Sequence, residues 1–338
     1  MAITIKDIAR RAGVAHSTVS RALRDNEAIP PRTAHRIKRL AARMGYVPSV
    51  VARSLKTSQS RALGVVVTNI ADPFLSEVVR GVEEAALDAG YSLLLAASNH
   101  DAEREKAILR ALAERRADGV IICSSRVSAE RLRELEAFGV PLALINNQVA
   151  GDFAHSIYHD DEWGGREVTR HLIGLGHRRI AYLGNAEGGR ASAERQAGYR
   201  TEMKAAGLRV SRTWCLAGPS GRPPGGAAGV ERFLQLNPRP TALFCYNDMM
   251  ALGALQRLKQ AGLRIPADCS VAGFDDVFVA EYADPPLTTF AQPKHQLGRE
   301  AAEVMLDLLK HGPPARPRVK AVRGQLLARA STAPPPLE

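Results

Sequence analysis

Three residues near the amino terminus set a geometry before any chemistry is assigned. Ala9, Gly13 and Val19 stand four and six residues apart, with helical patterning on both sides of the glycine. A small residue lets a second helix cross close to the first, glycine takes the positive φ of the turn, and an apolar residue on the second helix fills the gap. This is helix-turn-helix spacing, in which the second helix offers its side chains to base edges in a DNA major groove. Here that helix would carry His16, Ser17, Thr18, Ser20 and Arg21. His and Ser donate or accept at base edges, and Arg is the favoured bidentate partner of guanine. The alternative for Ser17 and Thr18 is a phosphate, a contact that positions without specifying, and for Thr18 that alternative is preferred. An ordinary three-helix bundle with a solvated basic face shares part of this pattern; the charge distribution weighs against it.

The chain has 338 residues and is 45% hydrophobic, enough for two or three compact units. Its 46 Lys and Arg against 35 Asp and Glu give +11, but the excess is not spread evenly. Residues 1–61 hold 13 basic and three acidic side chains, a net +10, and the remaining 277 residues net +1. A polyanion is the expected partner of the first segment. A membrane-surface helix needs large apolar anchors, and single strands are held on aromatic platforms. The first 61 residues contain no Trp or Phe and only Tyr46, which leaves duplex DNA. Lys6, Asp7, Arg10 and Arg11 interrupt any signal-peptide core, and no apolar run approaches the roughly 18 residues of a membrane span. A cytoplasmic protein is expected, associated with the nucleoid when bound to DNA. Cys123, Cys215, Cys245 and Cys269 are widely spaced and read as buried free thiols.

The elements that must hold the helix-turn-helix follow from local signals. Thr4 and Asp7 form a capping signature for a first helix ending at Gly13; a second helix runs from His16 to about Leu23. Pro30 and Pro31 start a third that ends at Gly45. Ser49 to Lys56 has helical character but is too short to be stable alone. Beyond residue 61, short apolar runs alternate with amphipathic helices. The expected strands are Leu63–Thr68, Tyr91–Ala97, Gly119–Cys123, Pro141–Ile145, Arg179–Gly184, Thr241–Cys245 and Ser270–Phe274. The helices between them are Phe74–Ala89, Ala102–Arg116, Glu162–Leu175, Ala193–Ala206 and Met249–Ala261. Such alternation gives an α/β fold, parallel sheets covered by helices on both faces. Gly218 to Gly229, rich in Gly and Pro, reads as an exposed loop, His177-Arg178-Arg179 as a solvated turn, and 332–338 as a disordered tail.

The run Ile5-Lys6-Asp7-Ile8-Ala9-Arg10-Arg11-Ala12-Gly13-Val14-Ala15-His16-Ser17-Thr18-Val19-Ser20-Arg21 resembles the headpiece of the LacI/GalR family of bacterial transcriptional repressors. The likeness continues through Gly45-Tyr46-Val47-Pro48 and Val51-Ala52-Arg53-Ser54-Leu55. It extends to Asp72-Pro73-Phe74, Arg195-Gln196-Ala197-Gly198-Tyr199, Asn247-Asp248-Met249-Met250 and Gly273-Phe274-Asp275-Asp276. The resemblance implies a helix-turn-helix headpiece over 1–48, a hinge helix and linker over 49–60, and a two-lobed periplasmic-binding-protein-like body. One lobe would be 61–158 with 290–320, the other 159–289 with 321–331. It further implies a homodimer, with higher oligomers left open, on a pseudo-palindromic double-stranded operator. His16 and Ser17 match base-choosing positions and Arg21 a further base contact. Ala52, Arg53, Leu55 and Lys56 would lie in the minor groove, Leu55 as a wedge between base pairs. Ala15 and Pro30 depart from the family's frequent Ser at a helix start, and a missing cap costs about 0.5–2 kcal/mol.

For the body the resemblance implies an effector cleft between the lobes. Asn69, Asp72 and Phe74 follow the first body strand, Asn146 the fourth, Asn247 the sixth and Asp275 the seventh, and each matches a position where relatives touch their effector. Asp72 should also cap its helix, with Pro73 at its first position. Arg195 can fork onto vicinal hydroxyls or a carboxylate. Asp248 reads as a helix cap rather than a ligand contact, Trp163 as near the cleft or packed, and Asp160 and Asp161 as hinge or binding residues. The expected effector is a sugar or sugar-like molecule, with no cofactor and no metal. The sequence lacks Walker A, G-x-G-x-x-G, H-E-x-x-H and G-x-S-x-G patterns, so an enzyme is not expected. The competing readings are a soluble sugar-binding protein and a sugar-processing enzyme with a basic amino-terminal module.

Overall fold

The computed structural model describes residues 3–46, 59–149 and 151–336. The chain divides into two compact units, Met1–Ser60 and Arg61–Glu338.

The first unit holds α1 (Ile5–Ala12), α2 (His16–Ala22) and α3 (Pro31–Arg43). Thr4 and Asp7 close a reciprocal capping box on α1, and Gly13 ends it at φ 67°. The turn follows, and Ile8, Ala9, Val19, Ala22, Ile37 and Ala41 meet in one small core. Neither Ala15 nor Pro30 provides a side-chain cap, and Pro31 sits at the start of α3. Ala52, Arg53, Leu55 and Lys56, with most of the expected hinge, lie outside the described residues.

The second unit is built on two six-stranded sheets. In chain order they contain β1 (Ala62–Val67), β2 (Ser92–Ala97), β3 (Gly119–Cys123), β4 (Leu142–Ile145), β5 (Ser156–His159), β6 (Ile180–Asn185), β7 (Cys215–Gly218), β8 (Ala242–Cys245), β9 (Ser270–Asp275), β10 (Thr288–Ala291), β11 (Val319–Val322) and β12 (Gln325–Leu327). The first sheet runs β11-β5-β4-β3-β1-β2 and the second β12-β10-β9-β8-β6-β7. Every pairing is parallel except β10 with β12.

Alternation along the strands supplies two apolar faces per sheet. On the first sheet, Val65 and Ile121 meet α4 (Pro73–Asp88) and α11 (Lys294–His311). Val66 and Ile122 point the other way, onto α5 (Ala102–Glu114) and α6 (Ala129–Glu136). On the second sheet, Leu183 and Leu243 meet α9 (Pro223–Leu234) and α10 (Asp248–Gln260), while Tyr182 and Phe244 meet α7 (Asp161–Gly174) and α8 (Gly189–Ala205).

Several expectations need correction. Gly218 to Gly229 is not an exposed loop, because Pro223 onward forms α9 with Gly225, Gly226, Gly229 and Val230 buried. A Cβ on Gly226 would stand 1.9 Å from the Met250 carbonyl oxygen, so glycine is what lets α9 press against α10. His177 is no solvated residue: it is buried, bonding Thr241 Oγ1 at 2.8 Å and the Ala333 carbonyl at 2.9 Å. Nor is the start of the expected tail loose, since Ala333 N donates to Ser270 Oγ at 3.0 Å and Thr332 Oγ1 bonds His171 at 2.9 Å. The expected lobe limits also move. All of β10, residues 288–291, lies in the second sheet and all of β11, residues 319–322, in the first. The chain therefore crosses between sheets after β5, after β10 and after β11.

Candidate functional site: a cleft between two sheets

In an open parallel sheet the ligand crevice lies beyond the carboxyl ends of the strands, where the strand order reverses. The first sheet reverses between β1 and β3, the second between β6 and β8. A cleft of about 680 Å³ opens at both reversals. The residues after β1 (Asn69, Asp72, Phe74) and after β4 (Asn146) line one wall. Arg195 from α8, Asn247 after β8 and Asp275 at the end of β9 line the other. All seven expected residues thus meet in one cleft.

Much of their polarity is already spent on holding the backbone. Asp72 Oδ1 accepts from Phe74 N at 2.9 Å, capping α4 as expected, and Asn69 Oδ1 accepts from Ala71 N at 3.0 Å. Asn146 Oδ1 accepts from His159 N at 2.9 Å. Asn247 Oδ1 accepts from Met250 N at 2.9 Å, so Asn247 rather than Asp248 caps α10. Asp248 is buried and accepts from Val277 N at 2.9 Å and Thr289 Oγ1 at 2.6 Å. The Nδ2 groups of Asn69 and Asn146 keep their donors free of any bond among the described residues. Asn146 at φ 48°, Ser124 at 54° and Asp275 at 106° hold left-handed backbone at strand ends in the cleft, the kind of local strain that clusters at binding sites.

Arg195 is the centre of charge and is 4% exposed. Its Nε donates to Asp161 Oδ1 at 2.7 Å and its Nη1 to the Tyr246 carbonyl at 2.7 Å; Nη1 stands 3.5 Å from Asp275 Oδ1. The guanidinium also lies over the Phe274 ring, 3.9 Å from its centroid. Burial works against this charge, but Asp161 and Asp275 outweigh it and hold the guanidinium protonated. Burial also pushes the Asp161 carboxyl up, and Arg195 overrides it, leaving Asp161 below the ordinary carboxylate range. For Asp275 burial wins: its carboxyl is pushed up to about 7 despite Arg195, with Asp72 adding repulsion. Asp72 is raised for the same first reason. The position of Arg195 comes from a close helix crossing, since a Cβ on Gly198 would lie 2.1 Å from the Glu162 carbonyl oxygen and one on Gly165 2.4 Å from that of Arg195.

The cleft includes residues that sequence reasoning missed. Gln292, 4% exposed, donates from Nε2 to Asp275 Oδ1 at 2.6 Å, while its Oε1 is buried with no partner among the described residues. It follows β10, a strand with no clear signal, so nothing marked it. Gln148 reaches across the cleft and accepts from Ala191 N at 3.1 Å, capping α8 from the opposite lobe. Asp161 joins the ion network, whereas Asp160 caps α7 through Trp163 N and pairs with Arg323. Trp163 packs edge-on against Phe290.

On the first unit, α2 leaves His16, Ser17 and Arg21 exposed and buries Val19 and Ala22. Thr18 and Ser20 are half-buried. The Ser20 hydroxyl accepts from Arg24 Nη2 at 2.7 Å, which brings Arg24 onto the same surface.

Residues 4–49 match the bacterial regulatory proteins, lacI family, and residues 169–332 a periplasmic binding protein-like domain. The chain is 37% identical over 308 residues to the HTH-type transcriptional repressor PurR of Vibrio campbellii, covering 91% of this chain and 92% of that one. It is 34% identical to PurR of Photobacterium profundum, covering 97% and 98%. A solved lac repressor dimer bound to operator and the anti-inducer ONPF superposes with a TM-score of 0.86 at 27% identity, covering 98% and 100%. A transcriptional regulator CelR-cellobiose complex does so with 0.75 at 31% identity, covering 97% and 99%. With a helix-turn-helix, a cleft between two parallel sheets and relatives matched nearly end to end, the chain belongs to the lacI family of bacterial transcriptional repressors.

Proposed function

We propose that this repressor reads its operator through His16, Ser17 and Arg21, with Thr18 on a phosphate, and that a small polyhydroxylated effector in the cleft sets its affinity for DNA. The supporting observation is the cleft chemistry: amides and carboxylates from both lobes surround a buried, ionised Arg195. Hydroxyls that both donate and accept suit the free amide donors of Asn69 and Asn146, the carboxylate of Asp275 and the open acceptor of Gln292. Cellobiose in the CelR complex and ribose in a regulator from Enterococcus faecium are ligands of this kind. Ala52, Arg53, Leu55 and Lys56 are assigned to the minor groove on sequence alone. Among large apolar side chains, Ile70, Leu87, Phe278 and Tyr282 are 62%, 70%, 72% and 80% exposed, and Phe278 and Tyr282, four residues apart, are assigned to the face that a second copy covers. No helix among the described residues is long and apolar enough to cross a membrane; a cytoplasmic location is proposed from the DNA-binding role.

A thermal-shift screen of sugars, sugar acids and nucleobases on the full chain tests the reading. A stabilising compound should change operator affinity, and Arg195→Met should abolish the response. A compound that stabilises the protein yet leaves operator binding unaltered, or one that is turned over, would overturn it.

A further inference from the structure

The headpiece carries a second charged surface that the recognition helix does not use. Arg11 and Ala12 at the end of α1, with Arg36, Arg39, Leu40 and Arg43 on α3, enclose a groove of about 260 Å³. No α2 residue lines it. The α3 members fall at i, i+3, i+4 and i+7 and so share one face. Arg36 is held in place by its Nη2, which donates to the Ala12 carbonyl at 3.1 Å. Arg10 and Lys38 pair with Asp7 and Asp25, but none of the four groove arginines has a carboxylate partner among the described residues.

The fold does not require such a cluster. Helix carboxyl ends favour cations, which accounts for Arg11 and Arg43 in the last turns of α1 and α3. Arg36 and Arg39 lie further inside α3, and like charges at this spacing oppose helix formation. An anion seated among them would relieve that repulsion. The guanidinium fork matches phosphate oxygens two at a time, and several arginines around one concave groove suit a compact anion with several charges. The lining contains no aromatic ring on which a base would stack.

We propose that the groove between α1 and α3 binds the phosphate chain of a small polyphosphate, held by Arg11, Arg36, Arg39 and Arg43. Its occupancy neutralises part of the +10 of residues 1–61 and so weakens the salt-dependent attraction of the headpiece to DNA. By linkage, DNA weakens the anion by the same factor. The proposal is independent of the cleft and its effector.

Calorimetric titration of the full-length protein with tripolyphosphate tests it. One saturable site per chain is expected, weakened at least about tenfold in Arg36→Gln/Arg39→Gln/Arg43→Gln and kept within about twofold in Arg21→Gln. Circular dichroism checks that helix content is retained; should the triple variant lose it, Arg39→Gln and Arg43→Gln singly are read the same way, each with a smaller loss. Unchanged affinity in these variants, or an equal loss in Arg21→Gln, overturns the site. So does a triple variant that binds tripolyphosphate normally while the operator salt slope falls by about 0.9 per arginine removed, because the partner is then the DNA backbone.

Discussion

Replacing Arg195 with Met removes the cation from between two buried carboxylates and keeps most of the side-chain volume. The guanidinium contacts Asp161 at 2.7 Å and Asp275 at 3.5 Å, and all three residues are less than 9% exposed, so solvent screening gives little relief. Breaking a buried pair by deleting one partner costs about 3–5 kcal/mol. At about 2–4 °C per kcal/mol for units of this size, the melting temperature at pH 7 should fall by roughly 10 °C. The pH dependence separates this cause from lost packing. In the parent, Asp161 is depressed by Arg195, so its contribution is present above the ordinary carboxylate pKa and is lost only as pH falls through the depressed value. In the variant the unpaired carboxyls are raised by burial and take up protons, so the deficit should shrink as pH falls from 7 toward 4. Adding Asp161→Asn should cost less than the two single changes summed. A deficit below about 1 kcal/mol, or one equal at pH 7 and pH 4.5, would refute a dry ion network.

Asp275, pushed up to about 7, is mostly protonated below that pH and ionised above it. An effector whose hydroxyls donate to the carboxylate should bind more tightly as pH rises from 6 to 8, and Asp275→Asn should flatten that profile in calorimetry. Gly198→Ala drives a Cβ onto the Glu162 carbonyl, so denaturant unfolding should report a loss of about 1–3 kcal/mol together with weakened effector binding. Tyr282→Asp should shift sedimentation toward monomer and, with it, abolish tight operator binding. Leu55→Ala should weaken operator binding much more than binding to unrelated duplex, and equal losses on both would count against an intercalated wedge.

What the sequence disclosed follows the range over which each signal acts. The turn at Gly13, the Thr4 and Asp7 box and the alternation of strands with helices are local, and the helix-turn-helix and seven of the twelve strands were legible from them. The short strands β5, β7, β10, β11 and β12 were not, because three or four residues make no period and the pairing of most of them is decided by partners far along the chain. Gln292 was hidden with them. The glycines of α9 read as loop formers when taken alone; only the backbone of α10 at 1.9 Å from a hypothetical Cβ reveals them as packing residues. His177 failed for a similar reason, since its partners Thr241, Ser270 and Ala333 lie 64 or more residues away. Asn247 and Asp248 are adjacent candidates for one cap, and the choice rests on Thr289 claiming Asp248.

The division of the cleft wall between two sheets constrains how any effector acts. A ligand shifts an equilibrium only by its difference in affinity for the two states. One that touched Asn69, Asp72 and Asn146 alone would bind the first lobe equally well at every lobe separation and would shift nothing. The polar groups with unused capacity lie on both walls, Asn69 and Asn146 on one, Asp275 and Gln292 on the other. Gln148 already spans the gap to Ala191, and Arg126 spans it to the Glu187 carbonyl at 2.5 Å. An effector long enough to engage both walls therefore competes or cooperates with contacts that already fix the lobe separation, and the three crossovers are the segments that must yield to it. Arg195 is already held by the protein itself, with Nε on Asp161, Nη1 on the Tyr246 carbonyl and Asp275 beside it, so the cleft wall carries this charge without an effector.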